Sequence, residues 1–446
     1  MVSKPKDSSS EEKLLSTARE IDGAEELDEN ERPEERKRTI LAFFMFGLLI
    51  YATYSLIIAG AQDILQGTLV PTSAVLVANI GPYFLVTLVA PYFIQKVPYF
   101  PRVLAIFTLE VAGLIMVVVG KHVAIKLFGV SLSSIGFGLG ELSFIAMTSH
   151  YHEVAVRAFS AGTGAGISLA PLYYTAMTTW ACIPPNTAIS IMAVCMVLIL
   201  AFYGIMDRRH SDEPPSPGDS FMTVPYAPLG DDSNDEKSGG AMTWKDKAYA
   251  VRGILPIMLS VIFAWIAEYL IIQAVITTIA FTNAPFPPRD HYQYYIFVFL
   301  GGELFGRSYL VLMSFWKPQW IPRLIIRRLW ILALVEIAHL VFFAFAAWYR
   351  FLPSVAIPLI LAFTAGVIIG VMYVNMLAVY TEESDPVQRE FVLGYASAAT
   401  GCGALTAGLL GLAIEPWLRH HCLQVSASSD YCFTRAIDGV CFKKNL

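Results

Sequence analysis

Residues 158–206 read AFSAGTGAGISLAPLYYTAMTTWACIPPNTAISIMAVCMVLILAFYGIM and contain no charged side chain. A bilayer core of about 30 Å needs about 20 apolar residues per helix, so this stretch is long enough to cross a membrane twice. Pro184 and Pro185 divide it, because a proline pair cannot continue a helix and marks a turn. The stretch therefore predicts two membrane-spanning helices joined at the prolines.

The same pattern continues along the 446-residue chain, which is 56% hydrophobic and 15% charged. Soluble domains carry roughly 25% charged residues, and a soluble chain of this size could not bury so many apolar residues in a core. The sequence therefore predicts an all-α polytopic membrane protein with about eleven transmembrane helices. The apolar runs lie at 39–60, 74–95, 103–120, 127–149, 158–182, 187–206, 253–280, 292–316, 329–349, 354–380 and 391–414. The net charge of −5 gives no basic excess and argues against nucleic acid as a partner.

Two polar segments divide the chain into two halves. Residues 1–38 are acidic and serine-rich, residues 207–252 are polar and proline-rich, and both compositions predict disorder. The linker separates six helices (39–206) from five (253–414), which resembles the major facilitator architecture of two pseudo-symmetric halves. Basic residues precede the first helix and recur in alternate loops, which predicts a cytosolic amino terminus and a cytosolic linker.

Eleven spans place residues 415–446 on the opposite, lumenal side of the membrane. Cys422, Cys432 and Cys441 are disulfide candidates there, because an oxidising compartment permits one bond among them, and free thiols are the alternative. The ending Lys443-Lys-Asn-Leu446 has the spacing of a dilysine retrieval signal, which would require a cytosolic tail. The charge bias of the loops is the stronger signal, so we expect a lumenal tail.

Ionisable residues within the predicted helices are candidate site residues, because a charge in the bilayer core costs several kcal/mol unless it is paired or hydrated. Arg307 is a permanent cation whose planar fork of donors matches a phosphate or a carboxylate. Glu303 lies one helical turn away and is able to neutralise it. Glu141 and Glu268 lack an evident partner on their own helices. A lone carboxyl in a low dielectric binds a proton readily, so both are candidates for proton coupling or are permanently neutral.

Neighbouring polar residues extend this candidate site. Tyr269 and Gln273 share a helix face with Glu268, and the run Ser160-Ala-Gly-Thr163 offers hydroxyl groups from the first half. We predict that these side chains bind substrate together with Arg307 and the two glutamates. The sequence contains no P-loop, zinc-ligand or nucleophile motif, so we predict no enzyme activity, no cofactor and no metal site.

Glycines at four-residue spacing predict helices that approach each other closely, because small residues allow tight packing in lipid. The pairs are Gly136/Gly140, Gly162/Gly166, Gly302/Gly306 and Gly366/Gly370.

Short stretches spread over residues 50–410 resemble the battenin family of lysosomal membrane proteins. They are Gln62-Asp-Ile-Leu, Thr72-Ser-Ala-Val-Leu, Ala90-Pro, Pro98-Tyr-Phe-Pro-Arg-Val, Gly138-Leu-Gly-Glu, Ser160-Ala-Gly-Thr-Gly, Ala267-Glu-Tyr, Gly306-Arg-Ser, Tyr373-Val-Asn, Glu383-Ser-Asp and Arg389-Glu-Phe. The resemblance implies a major-facilitator-like fold in the membrane of lysosomes, late endosomes or vacuoles. It also implies a role in clearing glycerophosphodiesters, with Arg307 holding the phosphodiester, and it adds Tyr373 and Asn375 to the predicted substrate-binding residues.

We therefore predict a transporter, or a transport-enabling protein, that moves small anionic phosphodiesters such as glycerophosphoglycerol from lumen to cytosol, with protons as one coupling option. One alternative is a scaffold that regulates trafficking and lysosomal pH, in which the buried polar residues are purely structural. Another is a basic amino acid transporter that uses Glu141 and Glu268 as counter-charges. The sequence is also compatible with a homodimer.

Two short segments predict sorting adaptors as partners. Tyr226-Ala-Pro-Leu229 fits a tyrosine-based lysosomal signal, and Glu11-Glu-Lys-Leu14-Leu15 resembles an acidic dileucine signal, although Ser10 occupies the usual acidic position. Motifs of this length also occur by chance.

Overall fold

Long helices make up almost all of the fold. The computed structural model describes residues 37–90, 94, 97–148, 151, 153–206, 244–383, 386–425 and 431–435, and every regular element among them is helical. In these described residues, eleven long helices follow the order of the apolar runs: α1 Lys37–Ala59, α2 Ser73–Val89, α3 Tyr99–Val119, α4 Val123–Thr148, α5 Glu153–Thr175, α6 Pro185–Ile205, α7 Trp244–Leu270, α8 Pro288–Trp316, α9 Leu329–Tyr349, α10 Ala356–Glu383 and α11 Pro386–Val425. Within these ranges, eight helical segments are long and apolar enough to cross a membrane, as a polytopic membrane protein requires.

Two helices extend further beyond the bounds predicted from hydropathy than the other helices do. Helix α7 begins at Trp244, inside the predicted linker, and α11 continues to Val425, beyond the predicted end at residue 414. The charge of Glu415 ended the apolar run, but this side chain is 1% exposed and accepts hydrogen bonds from the Thr72 amide and hydroxyl (2.6 and 2.9 Å). A bonded carboxylate need not interrupt a buried helix. The predicted disorder of residues 1–36 and 207–243 falls outside the described residues.

The two halves contact each other mainly through two helix pairs. Within the halves, α1 packs on α5, α4 packs on α2 and α3, α8 packs on α10 and α7 packs on α11, whereas α2 contacts α11 and α5 contacts α8 across the boundary. The loops at 60–72, 181–184, 279–287 and 350–355 lie on the same side as the described tail residues 431–435, and we call this side the tail face. The loop at 317–328 lies on the opposite side.

Glycines bring helices α8 and α10 into backbone contact. A Cβ atom on Gly302 would collide with the backbone of Phe363, and one on Gly366 would collide with the backbone of Phe299. The predicted small-residue spacing therefore corresponds to a close helix crossing here, since no larger side chain fits between the backbones.

Replacing Gly302 by alanine is expected to lower the free energy of unfolding by about 1–3 kcal/mol, the usual effect of overpacking. The adjacent Gly301 is exposed, and a Cβ there would meet no atom within 4 Å. Gly301→Ala is therefore the matched control and should leave stability unchanged or slightly raised, because alanine favours the helix. Thermal unfolding in detergent measures both variants, and equal melting temperatures would contradict the close crossing.

Helices α5 and α7 change their winding as they reach the tail face. Residues Ala176–Trp180 and Ile271–Val275 are π-helical, and Ile276–Thr278 form a 3₁₀ turn. A π segment leaves backbone groups without their usual helical partners, and the Gln273 carbonyl accepts a hydrogen bond from Ser73 Oγ at 3.1 Å. The Thr178 carbonyl in the α5 segment accepts a hydrogen bond from Arg289 of the second half at 3.4 Å, so both irregular segments contact the opposite half.

Candidate functional site

A cavity of ≈ 140 Å³ lies between the two halves. Four helices of the first half (α1, α2, α4 and α5) and four of the second (α7, α8, α10 and α11) contribute to its wall. Its volume is below the roughly 300–1,000 Å³ of typical small-molecule sites. The structure therefore presents a contracted central site that has to widen to hold a molecule much larger than a phosphate group.

Arg307 of α8 borders this cavity. Its Nε and Nη2 atoms donate to Glu303 Oε1 at 2.9 and 2.5 Å, and its guanidinium carbon lies 3.9 Å from the centre of the Tyr373 ring. The crossing of Gly306 with Gly370 brings α8 and α10 close enough for this stacking. The Arg307 side chain remains 26% exposed. The cation is thus paired with a neighbour and still accessible from the cavity.

Two further carboxyl groups reach the cavity without full hydrogen bonding. The Tyr51 hydroxyl donates to Glu141 Oε1 at 2.6 Å, while Oε2 of Glu141 is buried with no partner. Glu268 is 4% exposed, and its Oε2 atom also lacks a partner. The cavity wall thus carries three carboxyl groups and one guanidinium. If every carboxyl group were ionised, the site would hold excess negative charge in a low dielectric, which is costly.

Tyrosine hydroxyls form much of the remaining polar wall. Tyr54 of α1 and Tyr269 of α7 are hydrogen-bonded to each other at 2.7 Å across the boundary between the halves. Sequence reasoning missed Tyr51, Tyr54 and Ser55, although their spacing places them on one face of α1. A polar and aromatic face on an otherwise apolar span was the signal that could have identified them.

Five of the predicted substrate-binding residues line the cavity, and four do not. Those that line it are Arg307, Glu268, Tyr269, Glu141 and Tyr373. The Gln273 amide donates to the Tyr292 hydroxyl at 3.0 Å outside the cavity. Asn375 donates to the Tyr309 hydroxyl at 2.7 Å and accepts from the Ile326 amide at 2.6 Å. The Gln273 bond thus holds the end of α7 against α8, and the Asn375 bonds hold α10 against α8 and the loop at 317–328.

The predicted hydroxyl run of α5 lies outside the cavity and packs on α1 through its glycine. Thr163 donates its hydroxyl hydrogen to the Ser160 carbonyl at 2.8 Å, and Ser160 is exposed. Between them, Gly162 lies against the backbone of Phe44 and Leu48. The small residues of this run thus permit close packing of α5 on α1, and Ser160 and Thr163 lie outside the cavity.

An ion pair joins the two halves on the tail face. Arg289 of α8 donates from Nη2 to Asp63 Oδ2 at 2.7 Å and from Nε to Asp63 Oδ1 at 3.0 Å, and the Tyr174 hydroxyl donates to Asp63 Oδ2 at 2.9 Å. Asp290 lies 3.4 Å from Arg289, and burial raises the pKa of Asp290 to about 6 although Arg289 opposes the shift. The cavity is thus bounded on this side by a charged contact between the halves.

The described part of the tail contains a disulfide between Cys422 and Cys432, with Cα atoms 5.6 Å apart. The third candidate, Cys441, lies outside the described residues. The same holds for the sorting candidates Tyr226, Leu229, Leu14 and Leu15.

Comparisons with known proteins match one family over most of the chain. The family model described as CLN3 protein matches residues 41–421. Protein BTN1 of Chaetomium globosum is 32% identical over 428 residues, covering 88% of this chain and 90% of the relative. Battenin of Canis lupus familiaris is 26% identical, covering 86% and 92%. Protein BTN1 of Saccharomyces cerevisiae is 27% identical, covering 87% and 97%.

Solved structures with a similar fold include a bacterial homologue of the human lysosomal transporter Spinster. In an inward-facing, occupied conformation it matches with a TM-score of 0.57 and 13% identity over 86% of this chain and 83% of that chain. In an inward-facing, unoccupied conformation the TM-score is 0.54 at 14% identity, covering 84% and 80%. At this identity the likeness concerns the fold, and it confirms the predicted major-facilitator-like architecture.

Proposed function

Since the chain belongs to the CLN3 protein family and has a major-facilitator-like fold, we propose that it carries glycerophosphodiesters across the lysosomal or vacuolar membrane. The chain is a multi-pass, transporter-like membrane protein. In this proposal the tail face is lumenal, the substrate moves from lumen to cytosol, and protons move with it. No catalytic step is involved.

The single observation that carries the proposal is the position of Arg307 in the cavity between the halves. Glu303 Oε1 accepts two of its hydrogen bonds, and a guanidinium group has five N–H donors in all. The remaining donors suit the anionic oxygens of a phosphodiester, because charge-assisted bonds in a planar fork are strong and directional. Stacking on Tyr373 holds the fork in a fixed plane.

The charges of the cavity wall explain why we propose that transport is coupled to protons. A phosphodiester brings one negative charge to a wall that already carries Glu141, Glu268 and Glu303. Because Glu303 already balances the charge of Arg307, the bound phosphodiester leaves the site with excess negative charge unless one of the carboxylates takes up a proton. An acidic lumen supplies that proton. We therefore expect one proton to enter with each substrate molecule.

The hydroxyl-bearing wall suits the glycerol arms of such a substrate. Tyr51, Tyr54, Ser55 and Tyr269 surround the space beside Arg307, and a tyrosine or serine hydroxyl both donates and accepts hydrogen bonds. A diester with two glycerol groups exceeds the volume of the contracted cavity. Binding therefore requires the halves to separate, as expected for a carrier whose site lies between two moving units.

Proteoliposomes loaded with glycerophosphoglycerol at acidic internal pH test the proposal. We expect efflux that is faster than from protein-free vesicles, that is accelerated by the proton gradient and that external arginine does not inhibit. Absence of efflux from vesicles containing folded protein would contradict the proposal. It would favour the alternative in which the protein is a scaffold that regulates trafficking and lysosomal pH.

A basic amino acid is the second candidate substrate, and one observation favours it. Glu141 and Glu268 each present a buried oxygen without a partner, and two such carboxylates are suitable counter-charges for a cation, provided that Glu303 neutralises Arg307. Transport of radiolabelled arginine that glycerophosphoglycerol does not affect would support this candidate and exclude the first.

A further inference from the structure

A short piece of the carboxyl tail is inserted into the tail face. Residues 431–435 are described, and among them Cys432 and Thr434 are fully buried and Arg435 is 6% exposed. Such burial is unusual for an arginine, because arginine side chains are almost never fully buried unless specific partners hold them. The contacts of this segment, which we call the clasp, therefore need an explanation.

Arg435 attaches the clasp to the first half. Its guanidinium donates to five acceptors in the loop between α1 and α2: Gln62 Oε1 at 3.1 Å, Leu65 O at 3.4 Å, Thr68 O at 2.9 Å, Val70 O at 2.8 Å and Thr72 Oγ1 at 3.1 Å. Burial lowers the pKa of Arg435 to about 10, with Glu415 opposing the shift, so the group stays charged in any cellular compartment. Three backbone carbonyls of this loop thus depend on one side chain of the tail.

Other residues of the clasp attach it to the second half. The amide and hydroxyl of Thr434 donate to the Thr277 carbonyl at 2.9 and 3.0 Å. Arg350 donates to the carbonyls of Tyr431 and Thr278 at 3.1 and 2.8 Å. The Cys422–Cys432 disulfide adds a covalent link to α11.

The clasp therefore bridges the two halves on the same face as the ion pair between Asp63 and Arg289. A carrier that works by rocking its halves has to separate them on each face in turn. Separation on the tail face would withdraw Arg435 from its five acceptors, because Thr434 and the disulfide hold the clasp on the second half. Opening this face breaks all five hydrogen bonds together, so these contacts oppose the separation.

We propose that residues 431–435 form a built-in lock that holds the tail face closed, and that access to the central cavity from this face requires Arg435 to leave the loop between α1 and α2. The disulfide keeps the released clasp attached to α11, so that it can return. The role of the lock in transport rests on the proposed function. The closure of the tail face can be measured without any substrate.

Accessibility of a cysteine in the cavity tests the lock. Ser55 lines the cavity, and the two free cysteines in the described part of the chain are Cys195 and Cys402. A Ser55→Cys variant that also carries Cys195→Ser and Cys402→Ser is reconstituted and labelled with a membrane-impermeant maleimide from one side at a time. Labelling of the same protein with Ser55 retained is subtracted as background.

Adding Arg435→Gln is expected to accelerate labelling from the tail face at least about 10-fold, the factor that corresponds to losing roughly 1.4 kcal/mol of closure. Labelling from the opposite face should not accelerate. Arg419→Gln is the matched control, because Arg419 stacks on the same Phe433 ring as Arg435 but makes no hydrogen bond to the first half in the described residues. It should label at the parental rate.

Two further variants keep the test decisive if Arg435→Gln fails to fold. Arg435→Lys keeps the charge but offers fewer donors, and Cys422→Ser with Cys432→Ser removes the covalent link while leaving Arg435 in place. Both should give tail-face rates between those of the parent and Arg435→Gln. Parental labelling rates in the folded variants would overturn the lock, whether or not glycerophosphoglycerol is transported.

Discussion

Replacing Arg307 by alanine is expected to reduce glycerophosphoglycerol efflux from proteoliposomes by about 10- to 100-fold, since hydrogen bonds to a charged group contribute about 1.5–3 kcal/mol. Arg307 is the cation that lines the central cavity in the described part of the chain, and the phosphodiester would lose its counter-charge. Initial efflux rates at saturating and at limiting substrate separate weaker binding from slower transport.

Arg307→Ala also leaves Glu303 buried without its partner, so a second variant has to exclude misfolding. The double variant Glu303→Gln with Arg307→Gln removes both charges and leaves no unpaired ion. We expect it to fold and to be as inactive as the alanine variant. Arg323→Ala, at an exposed arginine in the loop opposite the tail face, is the control for loss of one positive charge and should transport normally.

Arg307→Lys distinguishes a planar fork from a simple cation. Lysine keeps the charge but cannot hold two phosphate oxygens in the geometry of a guanidinium, so an intermediate rate is expected. Wild-type efflux from Arg307→Ala and from the double variant would remove this residue from the mechanism. The central cavity would then need another anion-binding group.

The overall architecture could be predicted from sequence because a membrane imposes a simple length rule. Each apolar run needs about 20 residues to cross, and the helices follow the predicted runs in order. The ends of α7 and α11 could not be predicted in the same way. Hydropathy treats Glu415 as a stop, whereas in the fold its carboxylate is bonded to Thr72, a partner far away in the chain.

Part of the cavity could also be predicted, because an ionisable residue at membrane depth is costly and therefore usually has a functional role. That argument identified Arg307, Glu141 and Glu268. It did not identify Tyr51 or Tyr54, because a neutral tyrosine side chain is tolerated in an apolar span without a comparable energetic cost.

The hydrogen bonds of Asn375, which the family resemblance had added to the candidate site, could not be predicted from the sequence. Asn375 bonds to Tyr309 and Ile326, and a sequence does not show which face of a helix finds such neighbours. The contacts of the clasp could not be predicted from the sequence either. The contacts of Arg435 join residues more than 360 positions apart, and only the folded chain brings them together.

Asp63→Asn is expected to lower the free energy of unfolding by about 3–5 kcal/mol, the usual cost of removing one partner of a buried ion pair. The side chains of Asp63 and Arg289 are 3% and 12% exposed. Asparagine would leave the guanidinium buried with the longer contacts to Asp290 and to the Thr178 carbonyl, both at 3.4 Å. The melting temperature in detergent measures the loss, and Arg289→Gln should lower it to a similar extent.

The double variant Asp63→Asn with Arg289→Gln should be more stable than the sum of the single losses predicts, because neither charge is left unpaired. Asp290→Asn is the matched control, since Asp290 also faces Arg289. Its folded pKa of about 6 lies above the ordinary value, so the charge on Asp290 destabilises the fold as pH rises through 6. Neutralising it should therefore preserve or raise stability at pH 7 and change little at pH 3, below the ordinary pKa of an aspartate. If Asp63→Asn behaved like Asp290→Asn, the ion pair could not be what holds the two halves together on the tail face.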